Sequence, residues 1–325
     1  MIIALIFYYG AHIIFRYNGK FSDVLSVFTL LLFSISNAHI IIGMIPQVSN
    51  SKDSAHRVLR LSNLPNDSHE QTGAHPFPLM PAEITFRSVV FSYPARPHIP
   101  ILRGLSLTVP AGQCVAIVGS SGSGKSTIAA LLQRLYEPNG GEILIGYRPL
   151  TMLSTRLLRQ RLAIVPQHPT LWDASVAENI TYGLSEEQVS VEDIVRAAAL
   201  AGIHEFVESL PEGYNTRLSG GGEGLSAGQA QRVAIARALV RRPRVLILDE
   251  CTANLDAESA KTVKESVVRL LGEEKGRMTV LIITHAEELM RIAQRVIVVG
   301  EGRIVEEGTY AELRALGGEF SKLLE

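Results

Sequence analysis

Gly119, Ser120, Ser121, Gly122, Ser123, Gly124, Lys125, Ser126 and Thr127 constrain this chain more than any other stretch. They follow directly on the apolar run CVAIV, which suits a buried strand, and precede IAALLQRLY, which suits a helix. A tight loop must therefore carry a strand into a helix. Glycines let the backbone wrap closely enough for its N–H groups to point inward, and the helix start adds the positive end of its dipole. Such a loop cradles phosphate. In the GxxxxGK[ST] pattern it fits, Lys125 holds the β- and γ-phosphates and the Ser126 hydroxyl ligates Mg²⁺.

A second element supplies carboxylates. The run RVLIL ends in Asp249 and Glu250, at the end of what reads as another buried strand, where ligands sit in open α/β sheets. Asp249 is placed to hold Mg²⁺ through water, and Glu250 to polarise an attacking water. Alone, two acids after a strand say little. Joined to the loop, they indicate a nucleoside triphosphatase.

Short β-rich runs (ITFRSVVFSY, CVAIVG, RVLILDE, TVLIITH, RVIVVG) alternate with helical ones from residue 82 onward, the pattern of an α/β domain with a largely parallel core sheet. Net charge is −1, so no basic field calls for nucleic acid. Cys114 and Cys251 lie far apart without a CxxC pair and read as buried small hydrophobes.

Mean hydropathy is +0.19, apolar for a soluble protein, and the excess sits at the start. Residues 1–15 read MIIALIFYYGAHIIF; residues 24–45 contain no Asp, Glu, Lys or Arg and are long enough to cross a hydrocarbon core of ~30 Å. The first run is either part of a membrane helix or a signal-peptide core. No positively charged region precedes it and a longer apolar run follows, so a transmembrane helical hairpin over 1–47 is expected. The Ser residues, Asn37 and His39 within it should face other helices or a cavity. Lys52, Arg57 and Arg60 against Asp53 favour a cytoplasmic exit, although Arg16 and Lys20 lie in the intervening loop. Residues 48–81 read as a helical extension followed by a linker rich in Ser, Asn, Pro and Gly.

The segment LSAGQ, Leu225 to Gln229, stands just before the carboxylate strand. Here the chain resembles the ABC (ATP-binding-cassette) ATPase family, whose LSGGQ signature occupies this slot. A serine hydroxyl and glycine amides at a helix start make a second anion site. The resemblance implies that Ser226, Gly228 and Gln229 bind ATP held by another cassette, in a head-to-tail pair. It extends over 82–325 with its motifs in order. Tyr93 matches the aromatic that stacks on adenine, its other reading being a strand aromatic in the core. Gln167 matches the Q-loop glutamine that touches Mg²⁺ and couples the site to the membrane domain. Asp256, in TANLD, matches the D-loop, and His285 the switch histidine at the γ-phosphate. Implied catalytic residues are thus Lys125, Gln167, Glu250 and His285, with ATP and Mg²⁺ bound and Ser126, Gln167 and Asp249 at the metal. The implied fold is a P-loop cassette: a parallel core sheet, an antiparallel β subdomain and a helical signature subdomain.

FSYPARPHIPILRGLSLTVPAGQ and GLSAGQAQRVAIARALVRRP are similar to multidrug-resistance, P-glycoprotein-like exporters of the B subfamily, fungal forms in particular. That implies a multi-pass membrane protein with its cassette in the cytoplasm, driving export by ATP hydrolysis. The sequence departs from the pattern at Ala227, where Gly is usual, at Asn254 in the D-loop, and at Gly220, where a Glu is common. Such exporters have six membrane helices per half, and the sequence offers at most two. The expectation is a fragment or truncated product needing a partner for the other helices. A cassette without transport activity and a soluble ABC ATPase are the alternatives; the apolar start disfavours the latter.

Overall fold

A computed structural model describes residues 2–17, 20–63, 72–78, 82–218, 224–253 and 255–324. The chain divides into two compact units, Met1–Asp67 and Ser68–Glu325.

The first unit contains α1 (Ile2–Tyr17) and α2 (Phe21–Ser62). The helices meet through the Phe7 and Phe28 rings, 4.5 Å apart, and through Gly10, where an added Cβ would lie 2.9 Å from Val24 Cγ1. Helix α2 has no buried residue and runs unbroken through Pro46. It is the one helix among the described residues long and apolar enough to cross a membrane. At 42 residues it extends to roughly 63 Å, well beyond a hydrocarbon core. Some of its polar groups bond within the helix. Ser26 Oγ donates to Ser22 O, Thr29 Oγ1 to Leu25 O and Asn37 Nδ2 to Phe33 O, each at 2.8 Å. Bonding back to a carbonyl four residues earlier gives each of these side chains a partner within the helix.

The second unit opens with β1 (Ile84–Phe91), β2 (Leu102–Val109) and β3 (Cys114–Val118), then α3 (Lys125–Leu132). Next come β4 (Gly140–Ile145), β5 (Arg148–Pro149), α4 (Thr155–Arg161), β6 (Leu162–Val165), β7 (Ala174–Ser175) and α5 (Val176–Thr181). Helices α6 (Val191–Leu200) and α7 (His204–Glu208), strand β8 (Arg217–Leu218) and helix α8 (Ala227–Leu239) follow. The chain then alternates through β9 (Val245–Asp249), α9 (Ala257–Glu273), β10 (Thr279–Ile283), α10 (Glu287–Ile292) and β11 (Arg295–Gly300). It closes with β12 (Arg303–Gly308), α11 (Tyr310–Leu316) and α12 (Glu319–Leu324).

Six strands form the core sheet in the order β12-β11-β3-β10-β9-β6, parallel except where β11 meets β12. An antiparallel sheet, β2-β1-β4-β5, packs beside it. The core sheet is covered on both faces, which is why β3, β9 and β10 read as unbroken apolar runs. Val115 and Ile117 of β3 share one cluster with α3 and the antiparallel sheet. Cys114, Ala116 and Val118 turn to the other, with α8, α9 and the helical region α5–α7. Both cysteines are buried, and burial pushes each thiol up to about 12, so neither is a nucleophile.

Residues 72–78 lie in the stretch that composition reads as linker, yet they pack on this unit. His75 bridges to Leu153, and Phe77 is buried in the cluster beneath the antiparallel sheet. Arg134, itself buried, donates to the carbonyls of Thr72 and Leu153, each at 2.9 Å.

Candidate nucleotide site

The site follows from strand register. In the core sheet Ile117 of β3 pairs with Ile283 of β10, Ile283 with Asp249 of β9, and Val165 of β6 with Leu248. Because these four strands are parallel, the residues just beyond them stand along one edge. Gly119 follows β3, Glu250 follows β9, His285 follows β10 and Gln167 follows β6. Motifs spread over more than 160 residues thus meet in one row.

The loop after β3 turns sharply at Gly119, whose φ is 152°; a Cβ there would lie 2.1 Å from the Val299 carbonyl oxygen. Ser120, Ser121 and Gly122 are exposed at its rim, while Ser123, Gly124 and Lys125 are buried. Lys125 Nζ donates to the carbonyls of Gly119 at 2.7 Å and Ser120 at 2.9 Å. Burial holds its ammonium below the usual lysine range, opposed by the charges of Glu250 and Asp249. The hydroxyl of Ser123 is buried with no hydrogen-bond partner among the described residues. Gly124 starts α3 without a side-chain cap. An oxyanion in the loop would satisfy both features.

Ser126 Oγ faces Asp249 Oδ1 at 3.5 Å. Burial raises the Asp249 carboxyl, as does the charge of Glu250, against opposing effects of Ser126 and Lys125. Among the described residues no group of three or more His, Cys, Asp or Glu could hold a metal. One hydroxyl and one carboxylate nevertheless fit Mg²⁺, which takes one or two protein oxygens alongside phosphates and water.

Glu250 adopts φ 48°, a left-handed backbone that costs a non-glycine residue on the order of 1 kcal/mol. Its amide donates to the Ile283 carbonyl at 2.8 Å, which ties β9 to β10 just where both end. This turn brings the Glu250 carboxylate within 3.4 Å of His285 Nε2. Tyr93 is half-buried, its hydroxyl 3.1 Å from Thr127 Oγ1 and its ring edge-on to Phe91 and Tyr136. The ring thus packs against the core while its hydroxyl stands beside the loop helix.

The signature lies at the start of α8. Ser226 caps the helix: its Oγ accepts from Gln229 N at 3.2 Å, and Gln229 Oε1 accepts from Ser226 N at 2.8 Å. Ser226 and Ala227 are exposed, whereas Gly228 is buried, where a Cβ would lie 2.6 Å from Ser259 Cβ. Ser259 belongs to α9, which Asp256 caps by accepting from Ser259 N at 2.9 Å. That bond holds the Asp256 carboxyl below its usual range. Gly220 and Asn254 lie outside the described residues.

Sequence reasoning missed the groups that tie α8 to the row. Buried Gln231 donates to the carbonyl of Pro166, just before Gln167, at 2.9 Å. Arg237 donates to the carbonyls of Thr170 and Asn179 and to Asn179 Oδ1. Asn179, fully buried, in turn exchanges bonds with both backbone groups of Trp172. Most of these bonds end on backbone oxygens, which every residue carries, so no motif announces them.

A core sheet with this row at its edge, beside an antiparallel sheet and a helical region bearing the signature, defines an ATP-binding cassette. The ABC transporter family matches residues 102–253. The chain carries an ABC transporter domain, and its curated relatives are multidrug, P-glycoprotein-like exporters of the B subfamily. It is 46% identical over 242 residues to the ABC-type transmembrane transporter verA of Clonostachys rogersoniana, covering 74% of this chain and 19% of that protein. It is 46% identical to multidrug resistance protein pgp-1 of Caenorhabditis elegans, covering 75% and 18%. With human ATP-binding cassette sub-family B member 5 identity is 41%, covering 94% and 24%, so that match takes in much of the first unit. The chain spans about a quarter or less of the length of these relatives. A solved structure of a bacterial Atm1-family ABC exporter with ATP bound superposes with a TM-score of 0.72 at 32% identity, covering 93% of this chain and 52% of that one.

Proposed function

We propose that the chain binds Mg-ATP at the row of groups beyond β3, β6, β9 and β10 and hydrolyses it to power export across a membrane. The observation that carries this reading is the convergence at one sheet edge of Lys125, Ser126, Asp249, Glu250 and His285, with Glu250 and His285 3.4 Å apart.

Lys125 exchanges its two loop carbonyls for oxygens of the β- and γ-phosphates, and Ser123 gains the partner it lacks. Ser126 and Asp249, with Gln167, hold Mg²⁺, which neutralises phosphate charge when bound. Glu250 accepts a proton from the attacking water, and His285 orients the carboxylate and the γ-phosphate. Water adds to the γ-phosphorus as its bond to the bridging oxygen breaks, leaving ADP and phosphate. Positioning and charge neutralisation supply most of the acceleration. Tyr93 offers its ring to the adenine.

Ser226 and Ala227 of the signature are exposed and the bonds of Ser226 and Gln229 stay at the start of α8, so we assign the signature to a second cassette, placed head to tail. Ser226, Gly228 and Gln229 of each copy then close over the other's ATP, with Asp256 beside the junction. Helix α2 anchors the chain in a membrane with the cassette on the cytoplasmic side. Two helices cannot enclose a path, so export requires further membrane helices in the assembly. The test is ATP hydrolysis by the full chain in detergent over a range of protein concentrations. Activity per molecule should rise with concentration as cassettes pair; a constant rate per molecule rules out the paired site.

A further inference from the structure

His285 stands beyond β10 with 55% of its side chain exposed, so packing alone does little to hold the ring. The residues after it set its place. Thr284 is buried, and its Oγ1 accepts from Ala286 N at 2.9 Å. Helix α10 then begins at Glu287, and Ala286 at its N-cap offers no side-chain oxygen. The first turn instead carries Glu287 and Glu288, whose charge suits the positive end of the helix dipole.

Both carboxylates are held from outside the helix. Glu288 pairs with Lys264 of α9 at 3.1 Å. Glu287 Oε1 accepts from the Tyr310 hydroxyl and from Arg314 Nη1 at 3.1 Å, both on α11, and from Arg291 Nη2 at 2.6 Å. The same bonds hold the Glu287 carboxyl below its ordinary range, the Tyr310 hydroxyl contributing most. Arg314 also donates to the Tyr310 oxygen at 2.9 Å, and the Arg291 guanidinium lies 4.8 Å from the Tyr310 ring centre. Phe320 of α12 meets that ring edge-on at 5.5 Å. Beneath this polar layer, Leu289 and Met290 of α10 share a buried cluster with Leu313 and Phe320. A lone exposed ion pair would contribute little, but one carboxylate oxygen shared by three donor side chains on a packed base is a network.

We infer that Glu287, gripped by Tyr310 and Arg314 of α11, is a positioning residue that fixes His285 beside Glu250. It acts by pinning the start of α10, two residues after the histidine. The inference rests on the reading of Glu250 and His285 as the hydrolytic pair.

The test uses the full chain in detergent, with Glu287→Ala, Glu287→Gln, Tyr310→Phe and Glu250→Gln. It reads kcat and KM for ATP and the NMR signal of the His285 ring, assigned by its loss in His285→Ala. Glu287→Ala should lower kcat about tenfold, less than the roughly hundredfold that a 1 Å misplacement can cost, with KM little changed. Glu287→Gln, which still accepts from Tyr310, should recover part of that loss. Tyr310→Phe, which removes one hydroxyl and keeps the ring, should fall between parent and Glu287→Ala, and the His285 signal should move in step. If Glu287→Ala fails to fold, Tyr310→Phe decides. A parental kcat and a parental His285 signal together overturn the inference, and so does a change confined to KM. Glu250→Gln turning over at the parental rate means instead that the hydrolytic reading has failed. The His285 signal alone then decides whether Glu287 places the ring.

Discussion

The phosphate loop and the signature turn use the same short vocabulary, glycine and serine ahead of a helix, and the cassette treats them in opposite ways. At the loop, Gly124 leaves α3 uncapped, the Ser123 hydroxyl has no partner among the described residues and Lys125 is 5% exposed. At the signature, Ser226 and Gln229 close a capping box and satisfy two amides of α8 between them, in the open. One helix start is walled in and short of acceptors. The other is complete in itself and presents a finished surface. The difference supports the proposal that the loop holds a ligand carried by the same chain, whereas the signature meets one brought to it.

The comparison breaks first at Glu250, which belongs to the loop half. Glu250→Gln should lower kcat about 10³-fold while ATP still binds, because the amide cannot take the proton from water. Hydrolysis at the parental rate would remove Glu250 from the reaction. Lys125→Ala tests binding in the same half. Losing a buried charge that meets phosphate should cost about 3 kcal/mol, roughly a hundredfold in affinity for Mg-ATP. Titration with a fluorescent ATP analogue measures it; unchanged affinity would mean the loop is not the phosphate site.

Ser226→Ala examines the other half. Loss of the cap should lower stability by about 1 kcal/mol, about 2–4 °C in the melting midpoint. On the proposed head-to-tail pairing, ATP affinity of the isolated cassette should stay put while turnover falls. A drop in affinity at low protein concentration would place Ser226 in its own chain's site and erase the contrast.

Legibility from sequence divides along similar physical lines. Strands β3, β9 and β10, covered on both faces, stand out as apolar runs, and the groups beyond them are unusual enough to name. Strand β2, with Arg103, Gly104 and Ser106 exposed, gives a broken pattern that does not announce a strand. Residues 72–78 read as linker because their composition is that of a loop. Their place on the cassette depends on Phe77 and on Arg134, a contact across more than fifty residues. Gln231, Asn179 and Arg237 escape for a related reason: their partners are mostly backbone carbonyls, set by the fold.

Ala227 gives the finest test of the contrast. It is the first residue of α8, exposed, between the capping serine and buried Gly228. Its exposed methyl group is therefore placed where a partner surface could meet it. Glycine at this position gives up helix propensity, at most about 1 kcal/mol in a helix interior and less at the first position. If the signature faces a second cassette closely, Ala227→Gly should raise ATP turnover at high protein concentration by up to about twofold, equivalent to ~0.4 kcal/mol. At low concentration, where cassettes do not meet, it should change turnover little and lower the melting midpoint slightly. An equal effect at both concentrations would locate the methyl's influence in the helix itself. The signature would then differ from the loop in stability alone, with no waiting surface.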